Sequence, residues 1–218
     1  MGTLKGGYWI EENGQRERVP SVTTIIGRFK ESGGLIHWAW DCGMKGIDYR
    51  AERDRAADAG TAAHAMVEAD IRGKTFDPAP YPSEILEMAQ GAFNAYKEWK
   101  QQTKLVAVAS EVPLVSKVHK FGGTLDAMLV HGLLAMGDWK SANKVYPDNL
   151  MQLAAYGALW DENNPSNPVR GGYHLLRFDK THGDFEHRFF ASLDNELEQF
   201  LLLTKAYALD KKLKERIR

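Results

Sequence analysis

A single cysteine, Cys42, occurs in the 218 residues, so no intramolecular disulfide, four-cysteine zinc site or iron–sulfur cluster can be built from this chain. The histidines at 37, 119, 131, 174, 182 and 187 do not cluster with that cysteine, and no His-Glu-x-x-His occurs. A zinc hydrolase therefore has no support. No uninterrupted apolar stretch approaches a membrane span, and Met1 to Gly14 lacks the apolar core and basic leader of an export signal. The expectation is a cytoplasmic protein with no membrane contact. Asn164-Pro165-Ser166 is disqualified as a glycosylation acceptor by its proline. Internal repeats, low-complexity tracts and linkers are missing too, which predicts one domain. The formal net charge is -1, so any polyanion must be held by local patches rather than bulk attraction.

What is present suffices for a sizeable core, with 44% hydrophobic residues. The pattern predicts strands over Tyr8 to Glu12 and Gln15 to Val19 around Asn13-Gly14, a strong hairpin signal. Pro20 ends the second strand, and Ser21 is placed to cap a helix through Phe29. The glycines at 33 and 34 precede a helix with Trp38 and Trp40. A helix over Asp48 to Ile71 turns nearly all small around His64, which lets it approach a sheet closely. After Pro78, Pro80 and Pro82 a packing helix runs from about Ser83 to Gln101. Strands follow over Leu105 to Val112, Leu114 to Lys120, Thr124 to Val130 and Leu133 to Lys140. An apolar helix is expected over Asp148 to Trp160, then strands over Gly172 to Phe178 and Phe185 to Ala191. A last helix begins at Ser192 or Asp194. The final eight residues, from Lys211, carry five basic groups and one acid, +4 in all. They are either a solvated helix end, where cations are favoured, or a contact patch for an anion.

The most pointed segment is Gly123-Thr124-Leu125-Asp126 followed by Gly137-Asp138-Trp139-Lys140. The intervening apolar run breaks only at His131-Gly132. If Val130 pairs with Leu134 over a three-residue loop with Gly132 at positive φ, Asp126 faces Asp138 and Thr124 faces Lys140, all charges on one face. A two-residue loop would throw the two aspartates to opposite faces. Opposed carboxylates repel, so this register asks for a cation. Hard divalent ions such as Mg²⁺ or Mn²⁺ take one or two protein carboxylates and leave positions for water and phosphate. His64 and Glu68, one turn apart, could hydrogen-bond and fix the ring's tautomer. Gln152 sits in an apolar helix and needs a buried partner; Tyr156, one turn on, points the same way.

Three further elements occur in order around the two aspartates: Gly60-Thr61-Ala62-Ala63-His64 upstream, Glu111 at the strand region, and Gln152-Leu153-Ala154-Ala155-Tyr156 downstream. Together they resemble the RecB-like branch of the PD-(D/E)xK nuclease superfamily. Pro20-Ser21-Val22-Thr23-Thr24 looks particularly like phage exonucleases and the mitochondrial genome maintenance exonuclease. Leu125 stands where the family name has proline. The resemblance implies an α/β fold with a restriction-endonuclease-like core, a central mixed sheet flanked by helices, and an N-terminal helical region. Residues 1–103 would form the N-terminal hairpin and helices, 104–191 the catalytic sheet and Gln-x-x-x-Tyr helix, and 192–218 the C-terminal helix. It implies Asp126, Asp138 and His64 as ligands of one or two Mg²⁺ or Mn²⁺ ions; the iron–sulfur cluster that some of these nucleases carry is excluded by the single cysteine. Lys140 would orient the attacking water, Glu111 would act through water or support a neighbour, and Gln152 and Tyr156 would position the lysine region or the DNA backbone.

The activity implied is a DNA exonuclease acting on single-stranded or free ends in replication, recombination or repair, with recombination or replication proteins as partners. If the source is a phage, the host cytoplasm is its location. An endonuclease of the same superfamily and a non-cutting nucleic-acid-binding recombination partner are the alternatives. Competing accounts exist for single residues. His64 and Gln152 could be packing residues, and Ser21, Thr23 and Thr24 could be a plain helix cap rather than a phosphate contact. Tyr8, Trp9, Trp38 and Trp40 could fill the core rather than stack on bases.

Overall fold

The computed structural model describes residues 7–12, 14–142, 144–179 and 184–217. Met1 to Gly6, Asn13 of the expected hairpin turn, His182 and Arg218 lie outside the described residues. Strands β1 (Tyr8–Glu12) and β2 (Gln15–Val19) form a two-stranded antiparallel ribbon in the expected register, Tyr8 opposite Val19 and Glu12 opposite Gln15. Its buried side chains, Tyr8, Ile10 and Val19, pack with Val115 of the main sheet. Helix α1 (Val22–Phe29) is capped by Ser21, whose hydroxyl accepts the Thr24 N–H at 3.0 Å. Helices α2 (Gly33–Met44), α3 (Tyr49–Ile71) and α4 (Ser83–Gln102) follow. The Asp48 carboxylate caps α3 by accepting the Arg50 N–H at 2.9 Å.

The main sheet runs in the order β3 (Val106–Ser116), β4 (Phe121–His131), β5 (Leu133–Lys140), β6 (Tyr173–Phe178), β7 (Phe185–Phe190). All neighbours are antiparallel except β5 and β6, which are parallel. Helix α5 (Pro147–Asn163) makes the crossover between them, and α6 (Asp194–Glu215) closes the described chain. One sheet face packs on α3 and α4 through Ala59, Ala63, Trp99, Ala127, Leu129 and Trp139. The other packs on α1, α5 and α6 through Ile25, Leu125, Met128, Leu153 and Phe200. The protein is thus a mixed α/β structure with a five-stranded central sheet between helical layers, as a restriction-endonuclease-like core requires.

The two strands expected over Leu105 to Val112 and Leu114 to Lys120 are one. Pro113 does not break it, because β3 is an edge strand, where a missing N–H can face away from the ladder. The strand is instead distorted at Glu111, whose φ is +52°. There Ser110 pairs with Ala127 and Val112 with Leu125, so the distortion lies opposite Asp126. Leu125 belongs to the α5 side and Ala127 to the α3 side, although residues two apart normally share a face. Strand β4 therefore changes phase at Asp126, opposite Glu111.

Candidate active site

The β4–β5 hairpin adopts the three-residue-loop register: Val130 lies opposite Leu134, Ala127 opposite Gly137, and Gly132 has φ +82°. The ladder ends at Ala127–Gly137, and the next donor, the Trp139 N–H, is taken by Asp126 Oδ2 at 3.0 Å. A side-chain carboxylate thus replaces the backbone acceptor where the strands separate, which satisfies a buried N–H and fixes Asp126.

His64 reaches this point from α3. The alanines at 59, 62 and 63 are buried against the sheet, and such small side chains permit close helix–sheet approach. One ligand atom each from His64, Glu111 and Asp126 lies within 4.8 Å of the others. His64 Nδ1 is 3.9 Å from Glu111 Oε1. Glu68, a candidate partner of the imidazole, turns instead to Arg72 at 2.9 Å, because the residue capping the end of α3 offers a guanidinium. Burial lowers the His64 pKa, but Glu111 and the Asp126 charge outweigh it, leaving the ring more basic than usual.

Asp138 is 0% exposed and stands on the α5 side of the same site. Lys140 Nζ lies 2.6 Å from Asp138 Oδ2. Gln152 answers its need for partners by bridging the pair: its amide donates to Asp138 Oδ1 at 3.3 Å and to the Tyr156 hydroxyl at 2.9 Å. Its carbonyl accepts from Lys140 Nζ at 3.2 Å. Burial pushes the Asp138 carboxyl up, to about 7, against the pull of Lys140, with the Asp126 charge adding to the rise. Burial alone would lower Lys140, but Asp138 and Asp126 outweigh it and hold the ammonium charged.

Three carboxylates therefore face one ammonium and one imidazole. Two buried atoms here, His64 Nδ1 and Asp138 Oδ2, have no hydrogen bond of good geometry; the close Lys140 contact on Oδ2 is an ion pair outside hydrogen-bonding angles. Oxygen-rich donors, one imidazole and a deficit of positive charge are a set that could hold a metal ion. The cluster includes Glu111, expected either to act through water or to support a neighbour, while Asp138 is turned toward Lys140 and Gln152. Nothing in the sequence flags Glu111's positive φ, which brings it beside Asp126.

The glycines of the central motif are explained by contact. A Cβ at Gly123 would meet the Tyr156 ring at 2.7 Å, and one at Gly122 would meet Tyr8 at 2.4 Å. Tyr8 in turn shares a hydrogen bond with Thr124 at 2.8 Å between the two hydroxyls. Ser21 forms an isolated parallel bridge with Gly122, so the start of α1 sits against the strand that carries Asp126. Its hydroxyl is 3.0 Å from that of Thr23 and 2.7 Å from that of Thr24, and both threonines are exposed. Tyr8 is buried. Trp9 is half-buried under Arg16, with the guanidinium 4.5 Å from the ring, and Trp38 is half-buried edge-on to Tyr49. Trp40 is 60% exposed.

A partly buried pair that the sequence did not announce lies away from this site: His174 Nδ1 is 2.8 Å from His187 Nε2, and Trp99 donates to His187 Nδ1 at 3.4 Å. Among the described residues no helix is long and apolar enough to cross a membrane.

No protein-family model and no curated protein matches the chain. Among solved structures, the crystal structure of a Eubacterium rectale protein provisionally named an exonuclease is similar, with TM-score 0.39 and 12% identity. The match covers 85% of this chain and 69% of that one.

Proposed function

We propose that this chain is a divalent-metal-dependent deoxyribonuclease of the RecB-like PD-(D/E)xK type, a single domain that hydrolyses phosphodiester bonds at single-stranded or free DNA ends. The observation that carries the proposal is the convergence of His64, Glu111 and Asp126 within 4.8 Å, beside a buried Asp138–Lys140 pair. His64, Glu111, Asp126 and Asp138 would hold Mg²⁺ or Mn²⁺. When bound, such an ion supplies Lewis-acid charge on a phosphate oxygen and a more acidic water.

The protein's own groups do the rest. Lys140 keeps its charge in a largely buried place, where an ammonium aligns a water by hydrogen bonding and offsets negative charge that grows on the phosphate. Gln152 holds the lysine on one side and Asp138 on the other, and Tyr156 holds Gln152. Hydrolysis forms a bond from the water oxygen to phosphorus and breaks the bond to the 3′ oxygen, which leaves with a proton. Ser21, Thr23 and Thr24 at the start of α1 would contact the strand's phosphates. An exonuclease acting in replication, recombination or repair, with proteins of those processes as partners, is the preferred form.

The test is incubation of the protein with end-labelled linear single strands, linear duplex and closed circles in Mg²⁺, Mn²⁺ or EDTA. Loss of linear DNA to short products, abolished by EDTA and by Asp138→Ala in a folded protein, is the expected result. Cut circles would make it an endonuclease. Wild-type turnover by Asp138→Ala would overturn the assignment.

A further inference from the structure

Two adjoining cavities, of about 440 and 410 Å³, form a groove between α1 and the C-terminal half of α6 and share Thr24, Tyr207 and Lys211 as walls. One end opens on Arg18 and Ser21, the other on Arg28 and Lys214. The four cations are not equivalent. Arg28 and Lys214 are both engaged by Asp210, each at 2.9 Å, a bridge that ties α1 to α6 and shapes the groove. Arg18 and Lys211 are exposed and, among the described residues, pair with no acid.

Two walls of the groove touch the strand that carries Asp126. Ser21 bridges Gly122, four positions before Asp126 on β4, and Tyr8, another wall, bonds Thr124. Cations strung along an open groove suit an extended polyanion better than a single small anion, which needs donors converging on one point. Tyr207 adds an aromatic wall where the two cavities meet. A basic groove with an aromatic platform is the arrangement that follows a single strand's backbone and stacks its bases. We infer that the α1–α6 groove, through Arg18, Lys211 and Tyr207, is the track on which single-stranded DNA enters the candidate active site.

This inference rests on the nuclease reading for its direction, but its test does not need turnover. Binding of a fluorescent single strand of about twenty nucleotides is followed by anisotropy in EDTA over roughly 50 to 200 mM salt. Arg18→Gln with Lys211→Gln should weaken binding about 10-fold and flatten the log–log salt slope by about 1.4, the loss of two phosphate contacts at about 0.7 each. Lys97→Gln with Lys104→Gln, an equal charge change at exposed sites on and just beyond α4, should bind like wild type. Melting curves establish that both variants fold. Tyr207→Leu should weaken binding without changing the slope, since it removes stacking and no charge.

Wild-type affinity and slope in the Arg18/Lys211 variant, equal losses in the Lys97/Lys104 control, or no binding by the wild type would each overturn the groove. A wild type that binds through Arg18 and Lys211 but cuts nothing with metal supports the groove and sinks the nuclease. One that cuts while the Arg18/Lys211 variant binds normally does the reverse.

Discussion

Replacing Asp126 by Asn should make the metal-free protein more stable and the metal-loaded protein inert. Asp126 has two jobs that the substitution separates. Its Oδ2 accepts the Trp139 N–H at 3.0 Å, and an asparagine oxygen can accept that bond, so the hairpin end stays satisfied. Its charge faces Glu111 within 4.8 Å, where two unit charges repel by about 3.5 kcal/mol at an effective dielectric of about 20. His64 in the same cluster offsets part of this, leaving a net relief of about 1 to 2 kcal/mol. For a chain of this length that is a rise in Tm of about 2 to 8 °C in EDTA.

With metal the order reverses. At a concentration of about 100 times Kd, a ligand bound only to the native state adds about 2.7 kcal/mol, or about 5 to 11 °C, to the wild type. Loss of one carboxylate's charge should raise Kd about 100-fold, so the variant gains only about 0.4 kcal/mol, roughly 1 °C. Differential scanning fluorimetry with Mn²⁺ and with EDTA reads both effects, and DNA cleavage should fall at least about 1,000-fold. An Asp126→Asn protein that melts below wild type in EDTA and keeps its full rise with Mn²⁺ would refute the idea that this cluster is a strained, cation-seeking site.

Four other outcomes are expected. Gln152→Leu removes bonds to Asp138, Lys140 and Tyr156 and should cost about 2 to 3 kcal/mol in urea unfolding, with cleavage lowered more in kcat than in KM. Gly123→Ala puts a methyl 2.7 Å from the Tyr156 ring and should destabilise by about 1 to 3 kcal/mol while lowering activity through the displaced tyrosine; an unchanged melt would show that the ring is free to move. Burial and the neighbouring His187 depress His174 to about 4. A base depressed on folding contributes stability that is complete above its unfolded pKa near 6.5 and is lost as pH falls toward 4, here by about 2 kcal/mol or more. His174→Gln should flatten that part of the pH–stability curve. Ser21→Ala loses the cap on α1 and should cost about 1 kcal/mol, read by urea melts at fixed pH.

What the sequence disclosed and what it withheld divide along a physical line. Local chemistry was readable: Ser21 and Asp48 start helices because their oxygens accept the first free N–H groups, and one glycine among apolar residues sets the β4–β5 loop. The partner of Gln152 was foreseeable as a need, since a buried amide demands bonds, but its identity as the Asp138–Lys140–Tyr156 set depends on how α5 crosses the sheet. The position of Glu111 beside His64 and Asp126 was not readable, because it depends on a backbone conformation uncommon for glutamate, φ +52°, which no spacing rule anticipates. Helical spacing alone likewise allows His64 to bond Glu68. In the fold, Arg72 at the C-terminal cap of that helix takes Glu68, and the histidine faces a strand 47 residues downstream in sequence, at Glu111.

The same distortion explains why the carboxylates stay close without relaxing. Leu125 is buried among α1, α5 and α6, and Ala127 is buried against α3 and α4, so the residue between them is clamped from two cores. For Asp126 to turn away from Glu111, one of those side chains would have to leave its layer, and burying a leucine contributes about 1.5 to 3 kcal/mol. That is comparable to the charge repulsion the move would relieve. Lys140 and Asp138 are held in the same way, because Trp139 between them is packed among Tyr96, Trp99 and Phe178. Packing on both faces of the sheet thus maintains an electrostatic arrangement that is unfavourable by itself. A cation and a phosphate would then enter a site that needs little reorganisation. Trp139→Leu, which leaves every charged group in place, should accordingly reduce cleavage as well as stability, and metal affinity should fall with it; a variant destabilised by about 3 kcal/mol yet wild type in Mn²⁺ affinity would show that the clamp is not what holds the site.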